Sequence, residues 1–148
     1  YGASDHIAQG WTTFATPDGR RTGEPLADAI SPSQSRDVNG PTAVFISSGC
    51  FDHHHFAGGI ALNLRIHPSV LSRPDGVKKL VDMTKTYFER GGMEVQYNVV
   101  DTATLRAAQQ TPDEYRDLVV RIAGYSAYFV ELGRDLQNDI IARHENVF

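Results

Sequence analysis

The chain of 148 residues has a single cysteine, Cys50, and a single tryptophan. One thiol excludes an internal disulfide and any zinc or iron–sulfur site built from several cysteines, and it fits a reducing compartment. No apolar run approaches the ~20 residues that span a bilayer, and the amino terminus carries no signal-peptide pattern, so a cytoplasmic protein is the expectation. A basic excess is missing too. Fourteen lysines and arginines stand against 18 acidic residues, a formal charge of −4, with no basic stripe and no basic amphipathic helix. Nucleic acid and membrane surfaces are therefore not expected partners. The remaining balance, 41% hydrophobic and 22% charged, is ordinary for a globular domain that can build a core.

Read in order, Ser4 to Phe14 is compatible with a short helix, with Ile7 and Trp11 four apart on one face. Thr16 to Pro41 is dense in Gly, Pro, Asp and Ser, with Asp18-Gly19 and Asn39-Gly40 as turn dipeptides. A loop of that length is functional or disordered more often than not, and Leu26, Ala27 and Ile30 are apolar anchors that argue for order. Thr42 to Ser47 is β-branched and aromatic and reads as a strand; Gly59 to Ile66 reads as a second. Val77 to Arg90 is an amphipathic helix with Val77, Leu80, Val81, Thr84, Tyr87 and Phe88 inward, stopped by Gly91-Gly92. Met93 to Val100 alternates, which predicts a half-buried strand with Met93, Val95, Tyr97 and Val99 inward and Glu94, Gln96 and Asn98 outward. Asp101 caps a short helix through Gln109, and Thr111-Pro112-Asp113-Glu114 has the form of a capping box opening a helix to about Asp117. Leu118 to Ala123 is a strand or extended run, and Asp135 to Arg143 a last helix with Leu136, Ile140 and Ile141 inward. There Asp135, Asn138 and Asp139 lie near the start, where the helix dipole favours acidic groups. Strands alternating with helices give the α/β class.

Between the first two expected strands lie Cys50, Asp52 and the run His53-His54-His55. Adjacent side chains on an extended segment point to opposite faces, so at most two of these histidines could share a metal ion. Solvation or hydrogen bonding is the commoner fate of such a run, and no metal site is assigned. Cys50 is read as a small packing residue.

One stretch demands more explanation than the rest. In Arg121-Ile122-Ala123-Gly124-Tyr125-Ser126-Ala127-Tyr128-Phe129, a glycine ends an apolar run and aromatics follow at once. Taken by itself Gly124 is a turn glycine, placed where φ is positive or backbones approach closely.

RIAGYSAYF resembles the radical-site segment of the glycyl radical enzymes, the family of pyruvate formate-lyase and the diol dehydratases. The stretches TPDGRRTGEPLADAISPSQSRDVNGPTAV (Thr16 to Val44), LNLRIHPS (Leu62 to Ser69), GGMEVQYNVVD (Gly91 to Asp101) and DLQNDIIARHENVF (Asp135 to Phe148) are similar to the carboxy-terminal part of those enzymes, in the same order. Two positions depart from the family: Ala29 stands where many members have glycine, and His144 where many have threonine. Gly49-Cys50-Phe51-Asp52 is only superficially like the family's catalytic Gly-Cys-x-Glu loop, because that loop precedes the DGR segment and Cys50 follows it.

The resemblance implies the last strands and helices of a ten-stranded α/β barrel, with the Gly124 loop at its centre. It implies residues 1–148 as one glycyl radical domain, a fragment or small subunit of a larger enzyme. The unpaired electron would be stored on Gly124 and passed to a cysteine on the remainder of the enzyme. That thiyl would drive radical C–O, C–N, C–S or C–C cleavage of a small substrate. A separate activase, using S-adenosylmethionine and an iron–sulfur cluster, would generate the radical; the complete enzyme would be a homo-oligomer. Arg143, in the IIAR tail, matches an arginine that joins the active-site polar network, with capping of the final helix's carbonyls as its structural alternative. Physically, a Cα radical is stabilised when amide nitrogen donates and carbonyl withdraws across one plane, which only glycine reaches without a Cβ in the way. Such a radical needs a dry pocket, and Tyr125, Tyr128, Phe129 and Val130 are candidates for its cover or, equally, for ordinary core. Two rivals remain: a stand-alone replacement module for an oxygen-damaged partner enzyme, and a plain α/β domain with a turn glycine.

Overall fold

A computed structural model describes residues 5–34, 36–122, 124–143 and 145–146. Of the positions singled out above, Ser4, Ala123, His144 and Phe148 lie outside that set. In chain order the described elements are α1 (Asp5–Trp11), α2 (Gly40–Ser48), β1 (Ala61–Ile66), α3 (Pro68–Leu71), α4 (Gly76–Glu89), β2 (Glu94–Val99), α5 (Thr102–Gln110), β3 (Val119–Arg121), β4 (Ser126–Tyr128), α6 (Arg134–Ala142) and β5 (Glu145–Asn146). Single 3₁₀ turns cover His53–His55, Pro112–Tyr115 and Phe129–Glu131. The architecture is α/β, with a parallel sheet in the order β2-β1-β5 and a β3–β4 antiparallel hairpin.

The expected strand at Thr42–Ser47 is instead the middle of helix α2. Its buried residues, Pro41, Val44, Phe45 and Ser48, fall at i, i+3, i+4 and i+7, the spacing of one helical face. Pro41 in the first turn suits a helix start. The β-branched composition of TAVFIS lost to that packing, as strand preference does whenever burial decides.

β1 pairs with β2 in register, Asn63 opposite Gln96 and Arg65 opposite Asn98. In-register parallel partners share a face, so the sheet has one apolar side and one polar side. On the apolar side Leu62 and Leu64 pack with Val44 and Phe45 of α2 and Tyr87 of α4, flanked by Ile30, Met83, Val95 and Tyr97. The ring of Tyr87 lies 5.2 Å from that of Phe45, and a Cβ on Gly92 would come within 2.4 Å of it, which fixes glycine there. Only this edge of α4 is deeply buried. Val77, Val81 and Phe88, expected inward, are exposed, and so is Trp11 of α1, whereas Ile7 is buried as expected.

A second core gathers Val100, Leu105, Ala108, Val120, Phe129 and Ile140 from α5, α6 and the hairpin. α5 begins as expected: the Asp101 carboxylate accepts from Thr104 N–H at 2.7 Å and holds its pKa below the usual carboxylate value through that bond. Thr111 does not cap the turn that follows; its hydroxyl donates to the Ala107 carbonyl at 3.2 Å.

Candidate functional site

The hairpin is positioned by β2's polar side chains. Asn98 grips Arg121 like a neighbouring strand: its Oδ1 accepts from the Arg121 N–H at 2.6 Å and its Nδ2 donates to the Arg121 carbonyl at 2.5 Å. Gln96 Oε1 accepts from Arg121 Nε at 3.1 Å and from the Gly124 N–H at 2.9 Å. Gln96 Nε2 donates to the Glu94 carboxylate. Gln96 and Asn98 are each 7% exposed. The expected orientation of β2 is therefore corrected: these amides are its buried side chains, and Val99 is exposed. Alternation gives two faces but does not say which one the rest of the molecule covers.

The loop closes with the Ile122 N–H donating to the Tyr125 carbonyl at 3.0 Å, and Arg121 pairs with Ser126 across the hairpin. Gly124 sits at the tip with φ +78°, in the left-handed region that favours glycine. Among the described residues, nothing beyond the chain neighbours lies within 4 Å of where a Cβ would stand, so backbone conformation rather than space sets the preference. Gly124 is exposed. The expected aromatic cover is not supplied by the segment itself: Tyr125 and Tyr128 are each 46% exposed, and Phe129 is wholly buried as part of the second core.

Arg143 lies in a separate charged cluster. Its Nη2 is 3.1 Å from both Asp28 Oδ2 and Asp139 Oδ2. Asp139 also pairs with His6 Nε2 at 3.2 Å and accepts from Gln34, while Asp28 accepts from Asn63 Nδ2 at 2.8 Å. The two carboxylates are shifted oppositely. Burial raises Asp28 above the usual carboxylate value despite the Arg143 charge. Burial pushes Asp139 the same way, but the His6 hydrogen bond and the charges of Arg143 and His6 outweigh it and hold Asp139 low. A cavity of about 30 Å³ lies among these groups. Arg143 Nη1 and Asp28 Oδ1 are buried without a hydrogen-bond partner among the described residues. Next to Asp28, Ala29 adopts φ +51°, the conformation glycine would hold without strain.

Sequence reading missed the amides of Gln96 and Asn98 and the cluster of His6, Asp28 and Asp139. Asp139 belongs to that buried network, not to the dipole at the start of α6. Cys50 is exposed, not packed, with its thiol donating to the Ile46 carbonyl at 3.1 Å. His53 is a core residue, its Nε2 2.7 Å from the Ser48 carbonyl and its ring 4.9 Å from Phe51. Among the described residues no group of three His, Cys, Asp or Glu side chains is placed to hold a metal ion. No described helix is long and apolar enough to cross a membrane.

Comparison with known proteins places this arrangement. The family model described as "Glycine radical" matches residues 26–130, which include the hairpin tip. The chain is 48% identical to indoleacetate decarboxylase of Tractidigestivibacter scatoligenes, over 96% of its own length and 16% of that protein. It is 46% identical to isethionate sulfite-lyase of Desulfovibrio desulfuricans, over 97% and 17%. The glycerol-bound B12-independent glycerol dehydratase of Clostridium butyricum superimposes with a TM-score of 0.96 at 47% identity, over 100% of this chain and 19% of that one. The chain thus spans less than a fifth of the length of the relatives it matches.

Proposed function

The chain belongs to the glycine radical family, a glycyl radical domain of the kind carried by decarboxylases, lyases and dehydratases, and we propose that Gly124 is its radical-bearing residue. The observation that carries this is the setting of Gly124: a positive-φ glycine at a hairpin tip, its N–H fixed by a buried amide and its Cα open to an incoming group. In the proposed cycle a hydrogen atom is first removed from the Gly124 Cα by an activase that uses S-adenosylmethionine and an iron–sulfur cluster. A cysteine thiol on the remainder of the enzyme then returns a hydrogen atom to Gly124, leaving a thiyl that takes hydrogen from substrate.

The exposure of Gly124 supports a larger protein around it, since a stored radical needs a closed, dry site. The fully buried polar residues on one side of the sheet support a barrel whose interior that side faces, in the ten-stranded form the resemblance implies. The relatives act at carbon–carbon, carbon–sulfur and carbon–oxygen bonds by their names, so we assign bond and substrate choice to the remainder of the enzyme. Arg143 is the proposed contribution of this chain to the substrate's polar surroundings; its unpartnered Nη1 supports that role and its two carboxylate contacts define its position. A homo-oligomeric, cytoplasmic enzyme completes the reading.

Electron paramagnetic resonance on the complete, anaerobically activated enzyme tests it. A doublet that collapses when glycine carries deuterium at Cα, and that is lost in Gly124→Ala, is expected. Air should then cut the activated main chain at Gly124, read by intact mass. An unchanged doublet in Gly124→Ala would remove Gly124 from the role.

A further inference from the structure

We propose that Gln96 is a positioning residue for the radical, a hydrogen-bond acceptor that sets its lifetime; this rests on the reading that Gly124 carries it. Both groups addressing the Gln96 oxygen are obligate donors, the Gly124 N–H at 2.9 Å and Arg121 Nε at 3.1 Å. The opposite edge of the same amide faces the Glu94 carboxylate, an acceptor. Partner chemistry alone therefore orients the amide, with Oε1 toward the glycine and Nε2 toward Glu94. Gln96 is 7% exposed while the glycine it addresses is exposed, so a held acceptor meets a reachable reaction centre.

The consequence follows from how a backbone radical is stabilised. Spin at Cα spreads onto the amide nitrogen by lone-pair donation, and an acceptor on that N–H makes the nitrogen a better donor. The same bond, with Arg121 as the second tie, keeps the Gly124 amide from rotating out of the plane that donation needs. Among the described residues Asn98 grips the Arg121 backbone and is not bonded to Gly124, so it places the strand.

The test uses the complete enzyme, activated anaerobically, as wild type, Gly124→Ala, Gln96→Leu and Gln96→Glu, the last always combined with Glu94→Gln so that an amide donor, not a second carboxylate, faces the new carboxylate. Two quantities are read: the radical's half-life, and the hyperfine coupling of the exchangeable Gly124 amide proton, obtained by double resonance in H₂O and D₂O. Gln96→Leu should shorten the half-life roughly three- to tenfold, the equivalent of one hydrogen bond, and shift the amide-proton coupling. Gln96→Glu, which keeps an acceptor oxygen in place, should return both to within about twofold of wild type. A Gln96→Leu protein with wild-type half-life and coupling overturns the proposal, as does a Gln96→Glu protein that fails as badly as Gln96→Leu. If Gln96→Leu accumulates no radical, wild-type behaviour of Gln96→Glu still supports an acceptor role. Absence of a doublet in wild type, or its survival in Gly124→Ala, would instead defeat the assignment of Gly124 itself.

Discussion

The two sides of one parallel sheet do different work. Leu62, Leu64, Val95 and Tyr97 on one side meet α2 and α4 and make a core of ordinary kind. Asn63, Arg65, Gln96 and Asn98 on the other are equally withdrawn from water, yet they spend that burial on directional bonds. Gln96 and Asn98 hold the Gly124 hairpin; Asn63 leads into the Asp28–Arg143–Asp139 cluster; Arg65 donates to the Ile140 carbonyl at 3.1 Å and to Thr102 at 3.0 Å. Burial of polar groups costs free energy unless every group is paired. A sheet that buries Asn63, Arg65, Gln96 and Asn98 on its polar side is therefore built for position, and its apolar side supplies the stability that offsets it.

The largest effect expected from breaking this comparison lies in the charged cluster. Asp139→Asn leaves the buried His6 and the partly buried Arg143 facing a neutral amide, and removing one partner of such a network costs about 3–5 kcal/mol. Hydrogen exchange in the complete enzyme should report that loss as a lower local opening free energy at α6. The pH dependence carries the sign. Asp139 is held below 3.8, so its contribution is full above pH 3.8 and disappears as pH falls through its folded value. Asp28 is raised, so its contribution is present below pH 3.8 and lost as pH rises through its folded value. Wild type should therefore weaken at α6 below pH 3.8, and Asp139→Asn should lack that acid limb. An unchanged acid limb in Asp139→Asn would mean another group sets it.

On the apolar side the expected loss is similar in size but different in kind. Leu64 is almost wholly buried between β1 and its covering helices. Leu64→Ala should lower the opening free energy at β1 amides by about 2–5 kcal/mol, through lost contacts and the cavity left behind. The radical's amide-proton coupling should stay at its wild-type value, because the bond held by the Gly124 N–H comes from Gln96 on the other side. A shift in that coupling would show that the two sides are not separable.

What could be read in the sequence divides along the same line. The α/β class, the span of β1 and α4, the Asp101 cap and Gly124 at a positive-φ tip were legible because each is a local pattern: a period, a cap, a turn residue. The failures were of address. TAVFIS has strand composition, and only the i, i+3, i+4, i+7 spacing of Pro41, Val44, Phe45 and Ser48 announces the helix. Alternation marks the two faces of β2 but not which one is inner, and it is the amide face, not the apolar one, that is buried. Residue type misplaces Cys50, and helical periodicity marks the stripe of α4 without telling how much of it meets a partner. Asp28 and Asp139 are 111 residues apart in the chain (139 − 28), and no local signal joins them.

The smallest effect expected is the most exacting for the comparison, because it concerns a polar atom on the apolar side. Tyr87 is fully buried there, ringed by Phe45 at 5.2 Å and by His53 at 5.9 Å. Its hydroxyl has no hydrogen-bond partner among the described residues, and burial, with the neighbouring Tyr97, pushes its pKa up to about 12. If the Tyr87 ring is held by packing alone, its hydroxyl contributes only a desolvation cost, and Tyr87→Phe should be neutral or raise the opening free energy at α4 by about 1 kcal/mol. The ring contacts survive the change, and the methylene-free fit against Gly92 is untouched, since the Gly92 clash would be with ring carbons as well as with Cζ. Hydrogen exchange at α4 amides in the complete enzyme decides it. A loss of more than about 1 kcal/mol would mean that the hydroxyl is bonded in the complete protein, a second directional contact on the apolar side beside the 2.6 Å bond between the Thr84 and Tyr97 hydroxyls.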